Sequence, residues 1–220
     1  MTSVTKSLVG ERRLSPLRLI LLVIVLAGLI TSSVFAATGL MGNTQTAEQN
    51  QWFAPYVDVT ATPTFTFQNL GSTEHKDAVL AFIVSDPTNA CAPSWGGTYT
   101  LNQASDALDL DRRIVRLQQQ GGSVAVSFGG LNNNELAIGC ADTGKLLSAY
   151  QSVVDRYNLN TIDFDLENSE LTDTAAGSRR AAAIAKLQSE RRAAEKQLAV
   201  WVTLPVSPQG LSQDGTNAVA

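Results

Sequence analysis

The chain has 220 residues and a single histidine, His75, which stands without any partner pattern. It is read as a loop residue rather than as a catalyst or a metal ligand. Clustered positive charge is also missing. After residue 18 adjacent basic residues occur only as the pairs Arg112-Arg113, Arg179-Arg180 and Arg191-Arg192, the balance is sixteen basic against twenty acidic side chains, and the pI is about 5.0. Such a surface offers no footprint for a phosphate backbone, so a nucleic-acid partner is excluded. The pairs Arg179-Arg180 and Arg191-Arg192 are assigned to a solvated helix face.

No apolar run is long enough to span a bilayer unaided. Lys6, Arg12, Arg13 and Arg18 precede an apolar core of twelve residues, Leu19 to Ile30, then Thr31-Ser32-Ser33 and the small-residue site Val34-Phe35-Ala36. A span needs about 20 apolar residues, whereas a secretory leader has this order of charge, short core and small-residue site. Residues 1–37 are therefore read as a signal peptide. The alternative is an uncleaved membrane anchor over residues 19–37, and in both cases the remainder is exported. Cysteine is scarce as well: Cys91 and Cys140 are the only two, both in the exported part. An oxidising compartment makes a disulfide between them the expectation.

From Thr38 to Gln51 the chain carries Gly, Asn, Gln and Thr without periodicity, which reads as a disordered linker. A domain starts near Trp52 and runs to 220. In it, short β-rich runs at Tyr56 to Thr60, Val79 to Ser85, Val124 to Phe128, Thr161 to Glu167 and Leu198 to Leu204 alternate with helical patterns. The helices are expected over Asp106 to Gln120, ended by Gly121-Gly122 as a C-cap pair, and over Lys145 to Tyr157 and Ala175 to Gln197. This alternation specifies an α/β fold with a parallel sheet and right-handed crossovers.

What the chain does have is an acidic strand. Asp163, Asp165 and Glu167 alternate with Ile162, Phe164 and Leu166. Side chains alternate faces along a strand, so one face is acidic, with neighbours about 7 Å apart, and the other apolar. Like charges so placed repel and raise one another's pKa, a cost that points to function. In an open sheet covered by helices on both faces the acids would be stranded in apolar packing. In a (β/α)8 TIM barrel they face the lumen, and the C-terminal end of the strand is the active face. Only about the first five β/α units are expected here, since a barrel takes about 250 residues. A divalent metal on the three acids is disfavoured, because Ca²⁺ sites draw on loop carbonyls and Mg²⁺ is held with phosphates.

Two motifs and their spacing resemble glycoside hydrolase family 18, the chitinases and their relatives. Val124-Ala125-Val126-Ser127-Phe128-Gly129-Gly130 is similar to its strand-three S-x-G-G motif. Asn160 to Glu167 is similar to its strand-four D-x-x-D-x-D-x-E motif, with Asn160 where that motif has Asp. Phe53 to Asp58, Cys91 to Gly97 and Thr203 to Val206 look like the secreted bacterial branch.

The resemblance implies a chitinase or endo-β-N-acetylglucosaminidase acting on chitin or N-acetylglucosamine oligosaccharides, as a monomer with no cofactor and no metal. It implies Glu167 as the general acid, Asp165 orienting the substrate's 2-acetamido group, and Asp163 sharing a proton with Asp165. This is the substrate-assisted retaining route. Ser127 is placed to donate to Asp163, with Gly129 and Gly130 turning the backbone at the active face and leaving room for a sugar ring. Trp95, Trp201 and Tyr56 are candidate sugar contacts, since pyranose faces stack on aromatic rings. Two rival readings remain: a chitin-binding, lectin-like barrel, for which an intact Glu167 is unexpected, and a truncated, inactive member of the fold.

Overall fold

The computed structural model describes residues 53–69 and 76–219, together with the single residue Pro16. The chain divides into two compact units, Met1–Gln51 and Trp52–Ala220. The expectations for the leader, the linker, Trp52 and His75 lie outside the described residues. The sheet and the helices around it all belong to the second unit.

Strand β1 (Tyr56–Asp58) runs parallel to β2 (Ala78–Ser85), with Tyr56 level with Val79 and Asp58 with Ala81. Beyond β2 the chain doubles back as β3 (Pro93–Trp95) and β4 (Tyr99–Thr100), an antiparallel extension of the C-terminal end of β2 that the sequence reading did not contain. Helices α1 (Leu101–Leu108) and α2 (Leu110–Gln119) lead to β5 (Val124–Gly129). Helices α3 (Leu136–Gly139) and α4 (Thr143–Arg156) lead to β6 (Thr161–Asp165). Helices α5 (Ser169–Thr172) and α6 (Thr174–Ala193) lead to β7 (Ala199–Thr203). A small hairpin, β8 (Val206–Ser207) with β9 (Gly210–Leu211), precedes helix α7 (Gln213–Ala218).

The parallel strands lie in the order β1-β2-β5-β6-β7, each beside its predecessor in the chain. A doubly wound sheet reverses its order at a switch point; this one does not. A contact between the two outer parallel strands decides the curvature. Tyr56 Oη on β1 lies 2.8 Å from Thr203 Oγ1 on β7. Four strand spacings would hold these residues about 19 Å apart in a flat sheet. The sheet therefore curls into part of a (β/α)8 barrel wall, as the inward acids required.

The helix side of this wall is apolar. Phe128 stacks on Phe164 at 5.2 Å, and Tyr150 from α4 meets both rings edge-on at 5.2 and 5.4 Å. Burying each such ring stabilises the fold by roughly 2 kcal/mol. Helix α6 contributes an inward stripe of Ala176, Arg180, Ala183, Leu187 and Arg191, at spacings of three and four. The solvated face assigned to the arginine pairs is thus corrected. Arg180 is 6% and Arg191 7% exposed, because each falls on that stripe and finds oxygen acceptors beneath it.

One expected helix is two. Asp109 adopts a left-handed conformation, φ 54°, that ends α1 and starts α2. Aspartate tolerates this region, and Arg112 pairs with its carboxylate at 2.7 Å. The start of α1 at Leu101 comes directly after a capping box of Thr100 and Gln103, a signal present in the sequence. Gly121, at φ 82°, takes the left-handed position past the end of α2 as expected.

Cys91 and Cys140 form a disulfide that fastens the turn after β2 to the end of α3. Closing this loop is worth about 4 kcal/mol by chain entropy. The double variant Cys91→Ser, Cys140→Ser is expected to lose about 2–4 kcal/mol of unfolding free energy, read as a lower urea midpoint with a somewhat steeper slope, because the unfolded chain without its cross-link is less compact. No helix among the described residues is long and apolar enough to cross a membrane.

Candidate active site

The lumen face of β6 carries Asp163 and Asp165, while Ile162 and Phe164 are buried on the other side. Asp163 is fully buried and accepts three hydroxyls from three strands. Ser127 Oγ of β5 donates to Oδ2 at 2.6 Å, Tyr56 Oη of β1 to Oδ2 at 3.1 Å, and Thr203 Oγ1 of β7 to Oδ1 at 2.9 Å. A carboxylate so held is fixed in place, and the penalty of its burial is offset by hydrogen bonds. The Tyr56 hydroxyl is pushed up to about 12, first by burial and also by the nearby Asp163 and Asp165 carboxylates, so it stays a donor at neutral pH.

Asp165, half-buried and one step toward the C-terminal end, is raised to about 6 by burial and then by the charges of Glu167 and Asp163. Glu167 has left the strand. The ladder ends where Leu166 N donates to Thr203 O at 3.0 Å, and Glu167 opens a turn closed by Glu170 N donating to its carbonyl at 3.0 Å. The strand expected to run to Glu167 thus stops at Asp165, and the glutamate stands on the rim. There it lines a cavity of about 230 Å³ with Asp58, Thr60, Phe82, Leu131 and Asn133.

The remaining candidates divide. The register places Trp201 level with Asp163 on β7, on the lumen face. Trp95 is corrected: it is 0% exposed, its indole N–H donates to Tyr157 Oη at 2.9 Å, and its ring lies 5.9 Å from that of Tyr157. The β3–β4 excursion turns it into the core, so it offers no sugar platform. The room expected at Gly129 and Gly130 is already occupied. At Gly129 (φ 95°) a Cβ would meet the Asp165 carbonyl at 2.4 Å and Glu170 Oε2 at 2.9 Å; at Gly130 (φ 88°) it would meet the Phe82 ring at 3.1 Å. These glycines admit protein, not sugar. Asn160, the departure from the motif, is exposed and uses its carbonyl to accept from Ala199 N.

Sequence reasoning missed a buried charged group behind the acids. Glu135 is fully buried; its carboxylate accepts from Tyr150 Oη, from Ala137 N at 2.9 Å and from Arg180 Nη1 at 3.1 Å. Glu170, 3% exposed, accepts from Glu135 N at 2.8 Å and Glu167 N at 3.1 Å. Burial pushes the Glu170 carboxyl up to about 7 against the lowering effect of those two amide bonds. Each residue is an ordinary helix or loop acid in sequence. The one available signal was the spacing of Glu170, three residues after Glu167.

A parallel, curling β/α wall with carboxylates aligned on the lumen side and a glutamate at the C-terminal rim defines part of a (β/α)8 barrel with its candidate site at the face where such barrels carry their active sites. No protein-family model matches the chain. It is 34% identical over 184 residues to the "Probable bifunctional chitinase/lysozyme" of Escherichia coli (strain K12), covering 82% of this chain and 20% of that protein. It is 32% identical over 181 residues to "Endochitinase 11" of Metarhizium anisopliae, covering 82% of this chain and 33% of that protein. The chain thus spans about a fifth to a third of the length of these relatives. The catalytic domain of the hyperthermophilic chitinase from Pyrococcus furiosus superposes with a TM-score of 0.63 at 27% identity, over 76% of this chain and 51% of that one. A GH18 chitinase from Pseudoalteromonas aurantia shares the fold, with a TM-score of 0.53 at 23% identity over 76% of this chain and 61% of that one. The chain is thus chitinase-like: it resembles these proteins over about four fifths of its length, and its fold matches their catalytic domains.

Proposed function

We propose that the chain carries the acid-bearing part of a hydrolase that cleaves β-1,4 bonds between N-acetylglucosamine units by a substrate-assisted retaining route. The observation that supports this most is the line Asp163, Asp165, Glu167, which runs from a fully buried, triply hydrogen-bonded carboxylate to a rim glutamate beside a cavity.

Glu167 gives its proton to the glycosidic oxygen as the bond from that oxygen to the anomeric carbon breaks. The carbonyl oxygen of the sugar's own 2-acetamido group closes on the anomeric carbon from the opposite face. Asp165 accepts from the acetamido N–H and so turns that carbonyl toward the carbon. Glu167, now a carboxylate, removes a proton from water as the water oxygen bonds to the anomeric carbon and the acetamido oxygen leaves it, which gives net retention. Asp163, held by three hydroxyls, is fixed beside Asp165 and is one of the neighbours that help raise the Asp165 carboxyl. Trp201 and Tyr56 line the floor on which the sugar rests.

The same reading has residues 1–37 direct export, residues 38–51 link them to the domain, and the protein act outside the cell as a monomer on chitin or its soluble oligosaccharides. The test is release of a fluorescent aglycone from an N-acetylglucosamine oligomer by the full chain. Turnover at a rate saturable in oligomer supports the proposal. Binding of the oligomer with no release overturns it in favour of a lectin-like member of the fold.

A further inference from the structure

We infer that Glu170 is a positioning residue for the rim glutamate: its carboxylate, buried behind β6, sets where Glu167 stands by gripping the peptide on which it is mounted. This inference rests on the hydrolase reading for its kinetic consequence, though not for its geometry.

Glu170 holds Glu167 from both sides. Its backbone N–H donates to the Glu167 carbonyl at 3.0 Å, and its Oε2 accepts the Glu167 N–H at 3.1 Å. Between them Asn168 makes a sharp reversal at positive φ, with φ 48° and ψ −119°. A non-glycine residue persists there only where surrounding contacts over-determine it. The other carboxylate oxygen, Oε1, accepts from Glu135 N at 2.8 Å, in the loop after β5 whose Leu131 and Asn133 wall the cavity. One buried carboxylate therefore ties the acid's peptide to the opposite wall of the cavity.

The clamp is itself anchored. Arg180 of α6 donates through Nη2 to the Glu170 carbonyl at 3.3 Å and through Nη1 to Glu135 Oε2 at 3.1 Å. The bare Cα of Gly129 leaves the space that the Glu170 carboxylate occupies, since a Cβ there would stand 2.9 Å from Oε2. Hydrogen bonds from amides to a carboxylate are among the stronger kind, and in a dry setting they fix geometry within narrow limits. Glu170 is 3% exposed, so it acts on the reaction through Glu167 rather than on the sugar.

The experiment measures amide hydrogen exchange and steady-state kinetics on the full chain and on Glu170→Gln and Glu170→Ala. Glutamine keeps one acceptor oxygen and turns an NH2 toward the other amide, so it tests the clamp with little change of shape. Leu117→Ala, a core truncation in α2 far from the rim, controls for lost stability. Exchange at Glu167 N–H and Glu135 N–H is expected to quicken at least tenfold in both Glu170 variants and to track the core in Leu117→Ala. Turnover of the fluorogenic oligomer should fall about 10-fold in Glu170→Gln and about 100-fold in Glu170→Ala, with KM within twofold, as expected for about 1 Å of misplacement. Unchanged exchange at the two amides in a folded Glu170→Gln overturns the inference, and so does full kcat once they are freed. Should the unaltered chain show no turnover, the hydrolase reading fails, while the exchange result still decides the clamp.

Discussion

Replacing Glu167 by glutamine is expected to lower release of the aglycone by about 10³-fold while binding of an N-acetylglucosamine oligomer stays within a few-fold of the unaltered chain. The glutamine is nearly isosteric, and the turn that carries it is held by Glu170, whose N–H donates to the residue 167 carbonyl and whose carboxylate accepts the residue 167 N–H, so the rim keeps its shape. What is lost is the proton that the leaving oxygen requires, and later the base that activates water. An interaction made only as the bond breaks appears in kcat and not in KM. Single-turnover rates alongside titration calorimetry separate the two. Equal rates in the variant and the unaltered chain would remove Glu167 from the mechanism.

The Asp165→Asn variant should become more stable and less active at once. In the folded chain the Asp165 carboxyl is raised to about 6, by burial first and then by the charges of Glu167 and Asp163. An unfolded aspartate titrates near about 3.9. The folded state therefore holds this proton more tightly than the unfolded one. The stability it confers is complete below pH of about 4 and is lost as pH rises through about 6. Asparagine carries no charge at any of these pH values and escapes that loss. At pH 7 the variant is expected to gain about 1 kcal/mol, reduced from the full linkage because the group is half exposed and water screens it. Urea midpoints measured from pH 4 to pH 7 should converge for the two proteins at the acid end, separate progressively between about pH 4 and pH 6, and stay apart above it. Turnover, by contrast, should drop about 10²-fold, with the limb near pH 6 missing from the profile. A variant that loses stability at pH 7 would show that Asp165 is structural. The combination of stability gained and rate lost marks a residue kept for its chemistry.

Tyr56 illustrates how far residue-level reading reached. It stood among the candidates as an aromatic sugar contact, yet the structure gives it a second task as a donor to Asp163 from across the barrel. Ser127 was expected to donate to Asp163 and does, since neighbouring parallel strands in a given register place these residues side by side. Trp95 failed as a platform because an antiparallel excursion along the end of β2, invisible in the periodicity, turned its ring inward. Arg180 and Arg191 failed as surface residues for a related reason: a charged side chain on the inner stripe of a helix is tolerated only when buried oxygens are waiting, and those oxygens come from distant segments.

The sequence by itself determined the five parallel strands, the longer helices and the acidic face of β6, because these are local. Alternation with a period of two assigns faces to a strand, and helical spacing with glycine stops assigns helices, whatever surrounds them. The order of β/α units likewise fixed a parallel sheet with right-handed crossovers. Only the tertiary structure decided the curvature that brings Thr203 and Tyr56 to the same carboxylate, and the departure of Glu167 from the strand onto the rim. It alone assembled Glu135, Glu170 and Arg180 behind the site. Those features depend on contacts between residues far apart in the chain, whose partners no local pattern specifies.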